Sequence, residues 1–374
     1  MVAIRGSGLT SLGREPDPSS LVRAAVDRAL SDAGLDVDAI DALVVANAAG
    51  EAFTSIGNVS VWTATEAGLA GTPAIRVDTG PSSGLAAVST ARGWLGAPGI
   101  DNVLVLGWEA MTSVPTEEAT EILAGLMAAD EREAGLSLPR LVACLTRAYL
   151  DRHDRSLAEL DRVAHKAHRL AEANPIAQFG EVTLDEIAAS RVVADPLRLM
   201  HCAPLTDGAA ALVVADEGPV EIASMGAASD HLAYTQRRTP PERFQATQDA
   251  AEACFASTET ERSDVDVVEL HDAFVSLEAI NLEDLGFVPD GEGLDHVAEP
   301  EADALGPSPA VNPSGGLKAR GHPVGATGLA QTVECVDQCL DRAANPVADA
   351  GTALVHSIGG FGNNVHVALL EARP

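Results

Sequence analysis

The chain has 374 residues, long enough to bury a large core and to divide into two domains or two halves. It carries 55 acidic against 24 basic side chains, a formal charge of −31, with no basic stripe to meet phosphates, so nucleic-acid binding is disfavoured. No apolar run approaches the roughly 18 residues of a membrane span, so no membrane association is expected. Acidic residues are spread along the whole chain, and the only lysines are Lys166 and Lys318. Dispersed acidity with few lysines reads as a solvated surface, resembling proteins of salt-loving archaea, where high ionic strength screens self-repulsion. The opening MVAIRGSGLTSLGREPDPSS has no basic region leading into an apolar core. No secretory signal is therefore expected, and the expected location is the cytoplasm. Cysteines at 144, 202, 254, 335 and 339 form no Cys-x-x-Cys pair, and no His-Glu-x-x-His occurs, so no metal site is expected. The cysteines read as small buried hydrophobes.

In chain order, residues 2–8 read as a strand and 19–33 as a helix with an apolar stripe that stops at Gly34. A buried strand follows at 42–46, then a helix at 58–69 with Asn58 as N-cap. A strand at 74–78 runs into TGPSSG, a helix covers 82–95, and 103–106 is a fully apolar strand. Alternating strands and helices imply an α/β fold with a largely buried sheet. Residues 112–195 break this rhythm; they are long, polar and mostly helical, and read as an inserted loop domain over an active-site mouth. The sheet pattern resumes at 209–214.

The second half repeats the first. Residues 220–223 open as 2–4 did, and ERSDVDVVELHDAF (261–274) echoes GLDVDAIDALVV (34–45). ARGHPVGATGLAQTVECV (319–336) echoes DTGPSSGLAAVSTARGWL (78–95), each a glycine-rich turn feeding a helix of small residues. TALVHSIGGFG (352–362) echoes DNVLVLGWEA (101–110). The division expected is 1–111 with 196–215 as the N-terminal half, 112–195 as the insertion, and 216–374 as the C-terminal half. Two such halves bring equivalent helix N-termini together, which makes Ser82 and Ser83 neighbours of His322.

The densest stretch is VNPSGGLKARGHPVGATG (311–328). Its glycines allow close approach and conformations closed to other residues. His322 sits on a Gly-His-Pro turn before a helix at 326–340, whose N-terminus favours negative charge. That suits a base working beside an oxyanion. Three further elements converge with it: PSSG at 81–84, His271 in HDAF, and His356 in HSIGGFG.

Together GLKARGHPVGATG, HDAF, CAPLTDGAAALVV (202–214) and ANPIAQF (173–179) resemble the thiolase superfamily, closest to its archaeal and sterol-carrier-protein-type branch. The resemblance runs nearly end to end. It implies two similar α/β halves packed as a five-layered α-β-α-β-α sandwich, with an inserted loop domain contributing to coenzyme A binding. It implies acyl transfer in lipid metabolism, a Claisen condensation of acyl-CoA with acetyl-CoA or its reverse. No cofactor is bound, and coenzyme A is substrate or product. By position His322 is the activating base, His271 an oxyanion donor, and His356 the second acid/base, with Ser357 where relatives have Asn. Backbone N–H groups near Ser82 and Gly360 would hold the acyl oxygen. Members form homodimers or tetramers, and the archaeal type works with a small OB-fold, zinc-ribbon subunit.

The departure lies at the nucleophile. Aligning PSSG with the family's Cys-x-Ser-Gly puts Pro81 where the reactive cysteine belongs, and proline has neither a nucleophile nor an N–H. Three readings stay open: Ser82 is acylated with Pro81 opening the helix, Ser83 takes or shares that role, or no acyl-enzyme forms. The resemblance to haloarchaeal members implies the first, a Ser-His-His arrangement slow in thiolysis. The third covers retro-aldolases of this fold on coenzyme A esters and a non-catalytic partner subunit. Lys166, Arg169, Arg237, Arg238 and Arg243 are candidates for the coenzyme A phosphates. His366, in the last strand, reads as packing.

Overall fold

A computed structural model describes residues 1–298 and 305–373. Strands β1 (Ala3–Leu9), β2 (Ala42–Ala46), β3 (Ala74–Val77), β4 (Asn102–Ala110) and β7 (Asp207–Ala215) lie side by side in the order β3-β2-β4-β7-β1. Strands β8 (Val220–Ser229), β9 (Val267–Glu269), β10 (Ala310–Val311), β11 (Thr352–Gly359) and β12 (Asn364–Ala372) follow the order β10-β9-β11-β12-β8. The pairings also correspond. β2 lies parallel to β3 and β4, and β7 runs antiparallel to β4 and β1. In the same places β9 lies parallel to β10 and β11, and β12 runs antiparallel to β11 and β8. A short β1–β8 contact joins the two sets into one strand order. The repeat seen in the sequence is thus a repeat of topology.

Two helices, Ser83–Trp94 and Thr327–Cys339, touch strands of both sets and lie between them. Helix Pro18–Ala33 covers the outer face of β1, β4 and β7, and helix Gln245–Phe255 that of β8 and β12. This gives five layers with both strand sets covered on both faces, which is why β4 and β11 read as nearly continuous apolar runs. Helix Pro18–Ala33 starts where the Asp17 side chain accepts from Ser19 N–H, and ends at Gly34 in the left-handed conformation (φ 64°). Asn58 departs from expectation. It precedes helix Val59–Glu66, but itself adopts φ 50° and its side chain makes no capping bond. Of the cysteines, Cys254 and Cys335 are buried, Cys202 and Cys339 are half-buried, and Cys144 is exposed. Among the described residues, no helix is long and apolar enough to cross a membrane.

The two central helices touch through glycine. A Cβ on Gly84 would lie 2.5 Å from Leu329 N and 2.9 Å from Gly328 Cα, backbone that cannot swing aside. Replacing Gly by Ala inside a helix otherwise stabilises by up to about 1 kcal/mol. Gly84→Ala should instead destabilise, by roughly 1–3 kcal/mol or more from overpacking. Thermal unfolding reads the sign, and a stabilised variant would refute the crossing.

The insertion contributes helices Thr116–Ala124, Ala129–Glu133, Leu138–His153, Leu157–Ala173 and Leu184–Ala189, then a hairpin of β5 (Val192–Ala194) and β6 (Leu197–Arg198). Helix Leu157–Ala173 opens with a capping box of Ser156 and Glu159. It packs on the turn Gly316–Arg320, seating the insertion directly on the glycine-rich loop.

Candidate active site

The loop holding His322 is set by its glycines and by one carboxylate. Gly315, Gly316 and Gly321 have φ of 96°, 62° and 128°, values a side chain resists. A Cβ on Gly316 would come within 2.2 Å of the Asp272 carboxylate. That carboxylate accepts from Leu317 N–H at 2.7 Å, tying the loop to HDAF. His322 N–H donates to Thr206 Oγ1 at 2.9 Å. Thr327 Oγ1 lies 2.8 Å from His322 Nδ1 and donates its own proton to Pro323 carbonyl oxygen at 2.9 Å. A hydroxyl has one proton, so Nδ1 of His322 carries the hydrogen of this pair and Nε2 keeps a lone pair. Burial pushes the imidazole down to about 3, with Arg320 adding to the effect, so the ring is neutral at working pH.

His322 lines a cavity of about 320 Å³ together with Pro81, His271 and Gly360. The remaining wall is largely apolar and includes Leu138 and Val142 from the insertion, Leu277, Ile358 and Phe361, with Cys202 and Arg191 also present. The His271 and His322 rings meet edge to face, 5.1 Å between centroids. His271 is likewise driven neutral, first by burial and then by its two neighbouring histidines. Its Nδ1 has no hydrogen-bond partner among the described residues. A wider groove of about 940 Å³, lined by Asn174, Glu334 and Arg342 among others, contains none of the motif histidines.

Two imidazoles driven neutral by burial, His271 and His322, border one largely apolar chamber. Such a pair can take a proton from a carbon acid and hold the oxygen on which charge then develops. Gly360 adds left-handed backbone (φ 61°) at the chamber's edge. Gly360 N would lie 3.3 Å from a Cβ on Gly80, so the glycine loops of the two halves interlock.

Ser82 and Ser83 sit on the expected turn. The Ser83 hydroxyl donates to Gly80 carbonyl oxygen at 2.6 Å and accepts from Thr79 N–H at 2.9 Å, closing the turn into helix Ser83–Trp94. Ser82 is fully buried and does not line the cavity; its neighbour Pro81 does. Its hydroxyl accepts from Thr79 Oγ1 at 3.3 Å and lies 2.6 Å from Nδ1 of His366, a residue the sequence had suggested was packing. The Ser82 hydroxyl is therefore partnered by His366, and His322 by Thr327. His356 is fully buried and is not part of the cavity wall. Its Nδ1 accepts from His271 N–H at 3.5 Å, and its Nε2 lies 3.3 Å from Thr247 Oγ1.

The basic residues expected at phosphates have varied surroundings. Lys166 pairs with buried Glu278, Arg238 with Asp230 and Asp249, and Arg243 with Asp284 and Asp290. Arg237 stacks on Tyr234, Phe244 and Phe361, and its guanidinium nitrogens have no hydrogen-bond partner among the described residues. Arg169 borders a small recess with Lys166 and His296. Glu109, which carried no signal in the sequence, is fully buried and accepts from Ala48, Ala49 and Gly325 N–H groups. Burial raises it to about 7. It bolts the turn after His322 to the loop following β2.

Residues 6–218 match the profile "Thiolase, N-terminal domain" and residues 226–372 match "Thiolase C-terminal domain-like". The acetyl-CoA acetyltransferase of Methanothermobacter thermautotrophicus is 35% identical over 99% of this chain and 99% of that protein. That of Methanocaldococcus jannaschii is 34% identical over 99% of this chain and 98% of its own length. Sterol carrier protein 2 of Bos taurus is 30% identical over 99% of this chain, which spans 72% of that longer protein. Among solved structures, the Ltp2-ChsH2(DUF35) aldolase superposes with a TM-score of 0.82 at 24% identity, covering 99% of this chain and 97% of that one.

Proposed function

This chain belongs to the thiolase family and is an acyltransferase-type enzyme, and we propose that it makes or breaks the carbon–carbon bond of a 3-ketoacyl-CoA. The observation that carries this reading is the pair of neutral imidazoles, His271 and His322, in the wall of one largely apolar cavity. In condensation, Nε2 of His322 takes the α-proton of acetyl-CoA and His271 donates to the enolate oxygen. The enolate carbon then attacks the acyl carbon of a Ser82 ester, whose carbonyl Gly360 N–H helps to polarise; the ester C–O bond breaks and the Ser82 oxygen takes up the proton held by His322. The acyl group rides on Ser82: its oxygen bonds the acyl carbon, the thioester C–S bond breaks, and the hydroxyl proton leaves with coenzyme A as its thiol. For this step the Ser82 hydroxyl has to leave His366 and reach the cavity that Pro81 borders. An oxyester is a poorer electrophile than a thioester, so thiolysis should be slow. The assembly proposed is a homodimer or tetramer, joined by a small OB-fold, zinc-ribbon subunit. The structural neighbour is likewise a pairing with a DUF35 protein.

Intact mass after incubation with acetoacetyl-CoA in high salt tests the acyl-enzyme. An acetyl adduct is expected in the wild type and in Ser83→Ala, and none in Ser82→Ala. An adduct that survives Ser82→Ala would remove Ser82 from the mechanism. A second reading, retro-aldol cleavage of a coenzyme A ester without an acyl-enzyme, is favoured by one observation: Pro81, not a hydroxyl, borders the cavity. On that reading no variant gives an adduct, and a 3-hydroxyacyl-CoA is cleaved.

A further inference from the structure

Away from the cavity, His153, Glu283 and Asp290 each offer one ligand atom, and these atoms lie within 4.8 Å of one another. His153 ends helix Leu138–His153 of the insertion, Glu283 lies in the last turn of helix Ser276–Asp284, and Asp290 is in the loop that follows. We propose that this cluster binds one divalent transition-metal ion, of the zinc, cobalt or manganese kind.

Two of the three atoms are prepared for a ligand. Glu283 is only 4% exposed, and its Oε1 accepts from Tyr149 hydroxyl at 2.6 Å and from Gly293 N–H at 2.8 Å. These bonds fix the carboxylate plane and leave Oε2 buried with no hydrogen-bond donor. Nε2 of His153 is buried too, 3.7 Å from Asp290 Oδ1 and with no hydrogen-bond partner among the described residues. An orienting hydrogen bond on a ligand's other atom is the usual support of a metal site. An ion bonding at about 2.0–2.2 Å in tetrahedral geometry holds its ligands about 3.3–3.6 Å apart, so the widest pair has to close by up to about 1 Å. Imidazole with two carboxylates selects the transition metals over magnesium or calcium.

The charge balance agrees. Arg243 faces Glu283 at 3.9 Å and also pairs with Asp284 and Asp290. Arg152 reaches Glu242 at 2.5 Å and Asp290 at 3.7 Å. Four carboxylates against two guanidiniums leave two negative charges for a divalent ion to neutralise. The same two helices supply Val142 and Leu277 to the cavity wall, so the ion would pin the insertion to the C-terminal half beneath the active site. This role is independent of the reaction carried out above it.

The protein, stripped with EDTA, is titrated with Co²⁺ and Zn²⁺. One equivalent of Co²⁺ should give visible d–d absorption, and Zn²⁺ should displace it while raising the melting temperature. His153→Gln and half-exposed Asp290→Asn, both expected to fold, should lose the absorption. Tyr149→Phe, which removes only the orienting bond, should weaken binding about 10–100-fold. Absence of saturable binding in the wild type, or binding unchanged in His153→Gln and Asp290→Asn, overturns the assignment.

Discussion

Replacing His322 by Asn should lower kcat/KM by about 10²–10⁴-fold, the range for loss of a positioned general base. Asn matches the imidazole in polarity and approximates its reach, but it has no lone pair of useful basicity. Structural loss should be small, because His322 N–H still meets Thr206 and the substituted side chain can still reach Thr327. The pH profile makes the role specific. His322 titrates near 3 when buried beside Arg320, so its basic form is present at every higher pH. Wild-type kcat/KM should therefore show no acid limb near the ordinary histidine value of about 6.5. A limb there, absent from His322→Asn, would mean the ring ionises in the free enzyme and is not the desolvated base described above. An Asn variant that retains wild-type kcat/KM would leave His271 as the only imidazole acting in the cavity.

Much of this site was legible because its parts are local. The glycines at 315, 316 and 321 announce a loop that only glycine can trace, and their positive φ values bear that out. HDAF and GHP appear separately in the sequence but meet because Asp272 caps the loop backbone. The repeat was visible in matched turn-and-helix segments and returns as matched strand order. What escaped are facts of pleat and of distance. On β11 the side chains of His356 and Ile358 share a face. Ile358 and Gly360 reach the cavity, whereas His356 lies two residues deeper and turns to Thr247. His366 meets Ser82 across 284 residues of sequence, which no spacing rule anticipates. The pairing of the basic residues is also a matter of distance. With 55 carboxylates in the chain, Lys166, Arg238 and Arg243 each have an acidic neighbour that spacing along the sequence does not reveal.

Arg320→Met should destabilise the fold by about 3–5 kcal/mol at pH 7.5, as breaking a buried ion pair from one side does. Arg320 is fully buried two residues before His322, with its Nη1 3.5 Å from Glu269 and 3.7 Å from Glu334. Glu269 is fully buried and Glu334 is 7% exposed. Burial raises both carboxyls, Glu334 to about 7, while Arg320 holds each lower than burial alone would set it. Between about 4.5 and 7 the folded protein keeps a proton on Glu334 that the unfolded chain has released, so this group's contribution to stability falls as pH rises. Without Arg320 the folded values climb further, and the loss extends to higher pH. Below about 4.5 both states are protonated and the penalty from charge disappears. The deficit of Arg320→Met relative to wild type should therefore be largest near pH 8 and shrink toward pH 5. Urea unfolding at the two pH values measures it, and the difference between proteins cancels the titration of groups far from the network. A deficit of equal size at both pH values would mean that Arg320 supports the histidine loop through packing, not through its charge.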